Sequence, residues 1–163
     1  MSIRKSLPAD LPLLMALFAR ARAFMAETGN PNQWGPRNWP PQELIEADIA
    51  SGNSYVVEEQ GEIIGTFYFV FGVDVEPTYL HIEGPGWKYD GPYGVIHRIA
   101  AKEAGRGIME KAVAYALSQC PHLRIDTHED NLPMRNLMAK LGLEYRGIIY
   151  VENGTSPRLA FEK

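Results

Sequence analysis

Apolar residues recur along this chain with two different periods, and the switches between them mark out its elements. Leu11, Leu14, Phe18, Ala21 and Met25 fall on one face at helical spacing, after a start signalled by Ser6, Pro8 and Asp10. That face predicts core. Ahead of it, Ile3–Arg4–Lys5 reads as a short strand, and a second helix is expected from about Gln42 to Ser51, closed by Gly52 just past its end. Ser54–Glu58 and Ile63–Phe71 read as an antiparallel hairpin turning at Gln60–Gly61. The second of these strands is aromatic on both faces, which predicts a central place in a sheet. Tyr79–Ile82 reads as one further short extended piece.

The second half opens on a β-branched run from Tyr93, which turns through Gly105 and Gly107 into a helix expected to start at Gly105. Ile108, Met109, Ala112, Val113, Ala116 and Leu117 form its apolar stripe. Leu123–Thr127 is then a strand, so a strand–helix–strand unit with parallel pairing is implied. Asn131 suits an N-cap, with Pro133 in the first turn and Gly142 after the last. Leu143–Val151 and Arg158–Phe161 complete the pattern through a turn at Asn153–Gly154. The order β–α–α–β–β–(β)–β–α–β–α–β–β predicts an α+β fold, a mixed central sheet with helices on both faces.

The 163 residues suit a single domain over 1–163, with 45% hydrophobic and 22% charged positions, enough to bury a core. A net charge of −4 argues against a nucleic-acid partner, because neutralising phosphates needs a basic face. It suits a cationic or amine substrate better. Cys120 stands alone, so no intrachain disulfide can form, and its place before Pro121 reads as an incidental buried thiol. The N-terminus lacks the apolar core of a signal peptide, and no apolar run has membrane length, so a cytoplasmic chain without a membrane partner is expected.

The turn between residues 102 and 108 carries the first candidate chemistry. A helix start leaves backbone N–H groups unpaired, its dipole favours an anion, and glycines at 105 and 107 let a pyrophosphate approach the backbone. Lys102 and Arg106 add positive charge, tempered by Glu103. An ordinary tight turn explains the same glycines equally well. The dinucleotide fingerprint is excluded because Glu110 stands where its third glycine belongs, and no Gly-Lys-Ser/Thr follows to make a Walker loop. The stretch resembles the acetyl-CoA signature of the GNAT superfamily of N-acetyltransferases, Gln/Arg-x-x-Gly-x-Gly/Ala, with Lys102 where Gln or Arg is usual. A second stretch, from Asp130–Asn131 to Lys140–Leu141–Gly142–Leu143, is similar to that superfamily's later helix-to-strand motif.

The resemblance implies the GNAT acyl-CoA N-acyltransferase fold, with acetyl-CoA as co-substrate and no metal. It implies that Arg98, Ile99 and Ala100 pair with the pantetheine amides, and that Lys102, Ala104, Gly105, Arg106, Gly107 and Ile108 hold the pyrophosphate. Asn131 and Arg135 would lie beside the lower arm of the cofactor, although an asparagine that only caps its helix is an equal reading of Asn131. The tyrosine that many members use as the acid falls at Met138, which cannot donate a proton. Tyr145 and Tyr150 are near in sequence but on the following strand; of the two, Tyr145 is the candidate replacement, and water is another. His97 is the candidate base, because histidine is the side-chain type whose natural pKa lies near working pH, against the alternative of a packed histidine. Asp126, His128, Glu129 and Asp130 lack the spacing of a metal site and read as a solvated strand end.

Trp34, Trp39 and Trp87 sit in loops rather than periodic elements, and are expected either to wall an acceptor pocket or to anchor their loops. The expected function is N-acetyl transfer to the primary amine of a small molecule or peptide, by a monomer or homodimer. A catalytically weak acyl-CoA-binding module and an unrelated nucleotide-phosphate binder remain as alternatives.

Overall fold

A computed structural model describes the whole chain, Met1–Lys163. Strands β1 (Ser2–Lys5), β2 (Ser54–Glu59), β3 (Glu62–Gly72), β4 (Tyr93–Ala101), β5 (Leu123–Thr127), β6 (Glu144–Val151) and β7 (Ser156–Glu162) form one sheet in the order β1-β2-β3-β4-β5-β7-β6. Only β4 and β5 run parallel, because the connection between them is a helix rather than a hairpin. Helices α1 (Leu11–Glu27) and α2 (Gln42–Ala50) cover one face, while α3 (Ile108–Gln119) and α4 (Leu132–Lys140) cover the other. Alternation along β2 serves both faces: Val56 packs with Leu14, Phe18 and Ile45, and Val57 packs with Ile108, Met109 and Ala112. The α+β fold with helices on both faces is therefore the architecture observed.

Two elements differ from the sequence expectation. Helix α3 starts at Ile108, not Gly105, because Gly105 and Gly107 both hold a left-handed backbone (φ 76° and 75°) that a right-handed helix cannot include. Tyr79–Ile82 is not a strand. Pro77, with its fixed φ, opens a turn of 3₁₀ helix over Pro77–Tyr79, and Tyr79 is driven into a third core with Tyr93, Val95, Ile149 and Ala160. Only Glu83 bridges to the sheet, opposite Ile148. No helix is long and apolar enough to cross a membrane.

Candidate functional site

The site begins with a defect in β4. His97 faces Tyr68 and Ala100 faces Thr66, so two residues of β4, Arg98 and Ile99, stand opposite Phe67 alone. This is a bulge, and Arg98 carries it with φ 47°. The strain is offset locally, since the Arg98 guanidinium grips both oxygens of Asp48 at 2.7 and 3.0 Å and stacks on the Tyr68 ring at 4.4 Å. The bend parts β4 from β5. They pair only at Gly94 with Leu123 and Val95 with Arg124, and beyond Val95 the facing edge of β4 is open.

A cavity of about 730 Å³ fills one side of this opening, walled by Ile99–Glu110, by α1 around Phe24, and by Asn131, Pro133 and Leu137. It brings together Ile99, Ala100, Lys102, Ala104, Gly105, Arg106, Gly107, Ile108 and Asn131 as the sequence suggested. The amides of Gly107, Ile108 and Met109 find no acceptor within the chain. A Cβ on Gly105 would meet nothing, and one on Gly107 would meet only the Glu110 carboxylate at 3.8 Å, so both glycines open on the cavity and are not packed shut. The nearby cations are engaged: Lys102 pairs with Glu62, and Arg106 with Glu59 and with Glu103 at 3.2 Å. Asn131 caps α4, its side chain accepting from the Met134 amide at 3.2 Å, and donates through Nδ2 to Gln33 Oε1 at 3.0 Å.

A second cavity, about 280 Å³, lies across the splay and holds His97, Arg98, Trp34, Trp39, Glu76 and Asp126 in its wall. His97 Nε2 is 2.6 Å from Glu76 Oε1, and the other Glu76 oxygen accepts from the Thr78 hydroxyl and amide at 2.8 and 3.2 Å. The carboxylate has no proton to give, so it fixes the tautomer with hydrogen on Nε2 and turns Nδ1 toward Asp126 Oδ1, 3.8 Å away. Asp126 Oδ1 in turn accepts from the buried Tyr79 hydroxyl at 2.6 Å. Asp126 is thus part of a packed constellation and not a solvated strand end. Burial alone would raise the Glu76 carboxyl, but the hydrogen bond and charge of His97, with Thr78, reverse this and hold it at about 2.

That value carries a pH signature. A carboxyl depressed from 4.5 to about 2 contributes stability that is complete above pH 4.5 and is lost as pH falls through 2. Glu76→Gln should therefore be less stable than the parent in denaturant at pH 7, with the gap closing between pH 4.5 and 2. A gap of constant size over that range would show that the ion pair does not act on stability.

Three residues picked from the sequence are not brought to the site. Tyr145 projects from β6 at 46% exposure, with its ring against Phe161, and lines neither cavity. Trp87 hydrogen-bonds the Tyr79 carbonyl at 2.9 Å and stacks with Tyr93 around the Arg124 guanidinium, which is held by Glu162, so it anchors its loop. Arg135 is turned back onto the Glu129 carbonyl at 2.8 Å. Arg98 lines the second cavity and not the first, its guanidinium being held by Asp48. Met138, at 0% exposure, belongs to the core under the second cavity, so a tyrosine there would have to displace packed neighbours. The sequence reading missed Glu76, Gln33, Tyr79 and Arg158. For Glu76 a local signal existed, since an acidic residue before Pro77 and Thr78 is a capping pattern; for Arg158 there was none.

Comparison with known proteins gives the same assignment over most of the chain. Residues 17–143 match the family model described as the Acetyltransferase (GNAT) family. A GNAT-family acetyltransferase from Streptococcus agalactiae is 30% identical with a TM-score of 0.88, the match covering 99% of this chain and 94% of the other. Two further structures share the fold: a GNAT-family acetyltransferase from Listeria monocytogenes (20% identity, TM-score 0.70, 99% and 93% covered) and a ribosomal-protein-alanine N-acetyltransferase from Brucella melitensis (18%, 0.64, 100% and 99%). No curated protein matches the sequence. With its split sheet, its open glycine turn and a family match over residues 17–143, the chain belongs to the GNAT family of acetyltransferases.

Proposed function

We propose that the protein transfers the acetyl group of acetyl-CoA to the primary amine of a small molecule or peptide, by direct attack in a ternary complex. The observation that carries this is the meeting of the two cavities: Met25, Ile99, Met109, Asn131 and Met134 line both, so a chain entering from the glycine turn ends beside His97. The first cavity suits the cofactor on its own features, namely open glycines, free amides at a helix start and an unpaired strand edge. Gly105, Gly107 and the Ile108 amide would hold the pyrophosphate, and the β4 edge from Arg98 to Ala100 the pantetheine amides. When bound, acetyl-CoA supplies an activated acyl group and a thiolate leaving group.

The chain's part is to bind, orient and move one proton. His97 Nδ1, left with its lone pair by the Glu76 hydrogen bond, takes the proton of the attacking amine. Asp126, 3.8 Å away, stabilises the imidazolium that results. Helix α4 offers no acid at Met138, and the departing thiolate is stable enough to leave and take its proton from water.

Free-thiol release from acetyl-CoA over a panel of amines, beside calorimetric titration of acetyl-CoA, tests this reading. Turnover with any primary amine supports it. Tight binding without turnover would leave an acyl-CoA-binding module, and no binding would remove both.

The two tryptophans of the acceptor cavity should separate. Trp34 is 8% exposed with its ring edge-on to Phe18 at 5.9 Å, so Trp34→Ala should cost about 3 kcal/mol of stability. Trp39 is half-buried under Arg37 at 5.0 Å, and Trp39→Ala should raise the acceptor KM more than the acetyl-CoA KM at little cost in stability. Equal changes in both constants would assign Trp39 to loop anchoring.

A further inference from the structure

Arg158 opens a question that the transfer reaction does not answer. It is 6% exposed, it lies on β7 opposite Ile149, and its side chain lines the acceptor cavity. Its neighbours there are engaged elsewhere. Arg98 is held by Asp48, Arg37 by Glu152 at 3.4 Å, Glu76 by His97, and one oxygen of Asp126 by Tyr79.

Arg158 has no carboxylate within ion-pair distance. Its Nη1 donates to the Ser156 hydroxyl at 2.6 Å and to the Pro157 carbonyl at 3.0 Å, whereas Nε and Nη2 have no acceptor in the protein. Burial pushes the guanidinium below its ordinary value, opposed by the charges of Asp126 and Glu152 at longer range. A buried cation with an open two-nitrogen edge is costly unless something completes it, and that edge matches the two oxygens of a planar oxyanion. The other buried arginine, Arg124, makes the contrast: its Nε donates to Glu162 at 2.9 Å and its Nη2 to the Tyr89 carbonyl at 2.6 Å, so it has no such edge.

We propose that the acceptor is a small amine that also carries an oxyanion, above all the carboxylate of an amino acid, and that Arg158 binds this group while the amine faces His97. The inference rests on the amine-transfer reading above and narrows its substrate class. It accounts for the mixed lining of a cavity of about 280 Å³, with the second oxygen of Asp126 to receive an ammonium and one free guanidinium to receive an anion. Specificity follows from the same asymmetry. An amine lacking the anion would leave Arg158 unpaired in the closed site, and unpaired buried donors discriminate strongly.

The test compares matched pairs: amino acids, and aminoalkyl phosphates, against the amides or simple amines of equal length. Two readouts are used, thiol release from acetyl-CoA and thermal-shift binding in the presence of CoA. The anionic member of a pair should be preferred at least tenfold in kcat/KM, mostly through KM, and preference among carboxylates and phosphates tells which oxyanion is read. Arg158→Gln should bring the ratio near unity, and Arg158→Lys, which keeps the charge, should restore part of it. Circular dichroism and acetyl-CoA affinity verify that each variant is folded. If amines are acetylated with no preference for the anion, or if folded Arg158→Gln keeps the preference, the inference is overturned while the acetyltransferase reading stands. Arg158-dependent binding of the anionic members without turnover of any amine does the reverse. No selective binding of any anionic member overturns the inference whatever the turnover.

Discussion

Replacing His97 with alanine should lower kcat/KM for the acceptor by ~10²-fold or more, the usual contribution of a positioned general base. Acetyl-CoA affinity should be nearly unchanged, because His97 lines the acceptor cavity and not the cofactor cavity. The reason to expect a base and not a packed ring is the direction of its hydrogen bonds. Glu76 takes Nε2–H at 2.6 Å and is itself held by Thr78, which leaves Nδ1 as the ring's only lone pair, 3.8 Å from Asp126 Oδ1. Glu76→Gln can still accept from Nε2 but no longer balances an imidazolium, so it should lose activity yet retain more than His97→Ala. A folded His97→Ala enzyme with normal turnover would sink the assignment.

The second large effect is expected at the glycine turn. Gly107→Asp should weaken acetyl-CoA binding severely while the fold persists. Gly107 has φ 75°, and a side chain at this position would project into the open cavity, near Glu110 at 3.8 Å, and not into the core. Aspartate tolerates the left-handed backbone better than most residues. The damage should thus come from bulk and negative charge where the pyrophosphate approaches the free amides of Ile108 and Met109. Calorimetric titration beside a thermal melt separates loss of binding from loss of fold. Unchanged affinity in a folded Gly107→Asp protein would remove the glycine turn from the cofactor site.

The cations on either side of that turn behave differently from a simple count of charges. Lys102 and Arg106 are each tied to carboxylates on the β2–β3 hairpin, Glu62 and Glu59, so the turn's attraction for an anion rests mainly on the backbone. This fits a signature in which Lys102 departs from the usual residue. The main-chain groups of residues 105–109 do not depend on which side chain stands at 102.

What was legible in the sequence was what short range decides. Helical spacing marked α1 and α3, the Asn131 cap with Pro133 and Gly142 marked α4, and glycines at 105 and 107 announced a turn with room around it. Even the order of elements was sufficient for the α+β architecture, since a helix between β4 and β5 requires a parallel pair there. Tyr145 and Trp87 failed for the opposite reason. An aromatic residue in a strand or loop has no local mark of which side it faces, and here one turns to solvent and the other clamps Arg124.

Only the tertiary structure assembled the acceptor site. Glu76 meets His97 from 21 residues away because Pro77 turns the segment after β3 back over β4, and Asp126 arrives from the parallel neighbour of that strand. Arg158 reaches the same cavity because β7 inserts between β5 and β6, a sheet order that no nearest-neighbour pattern in the chain contains. Local sequence sets backbone conformation through sterics and hydrogen bonding within a few residues. Which charges are buried together, and which are left without a partner, depends on strand order and on the bulge at Arg98 that holds β4 and β5 apart.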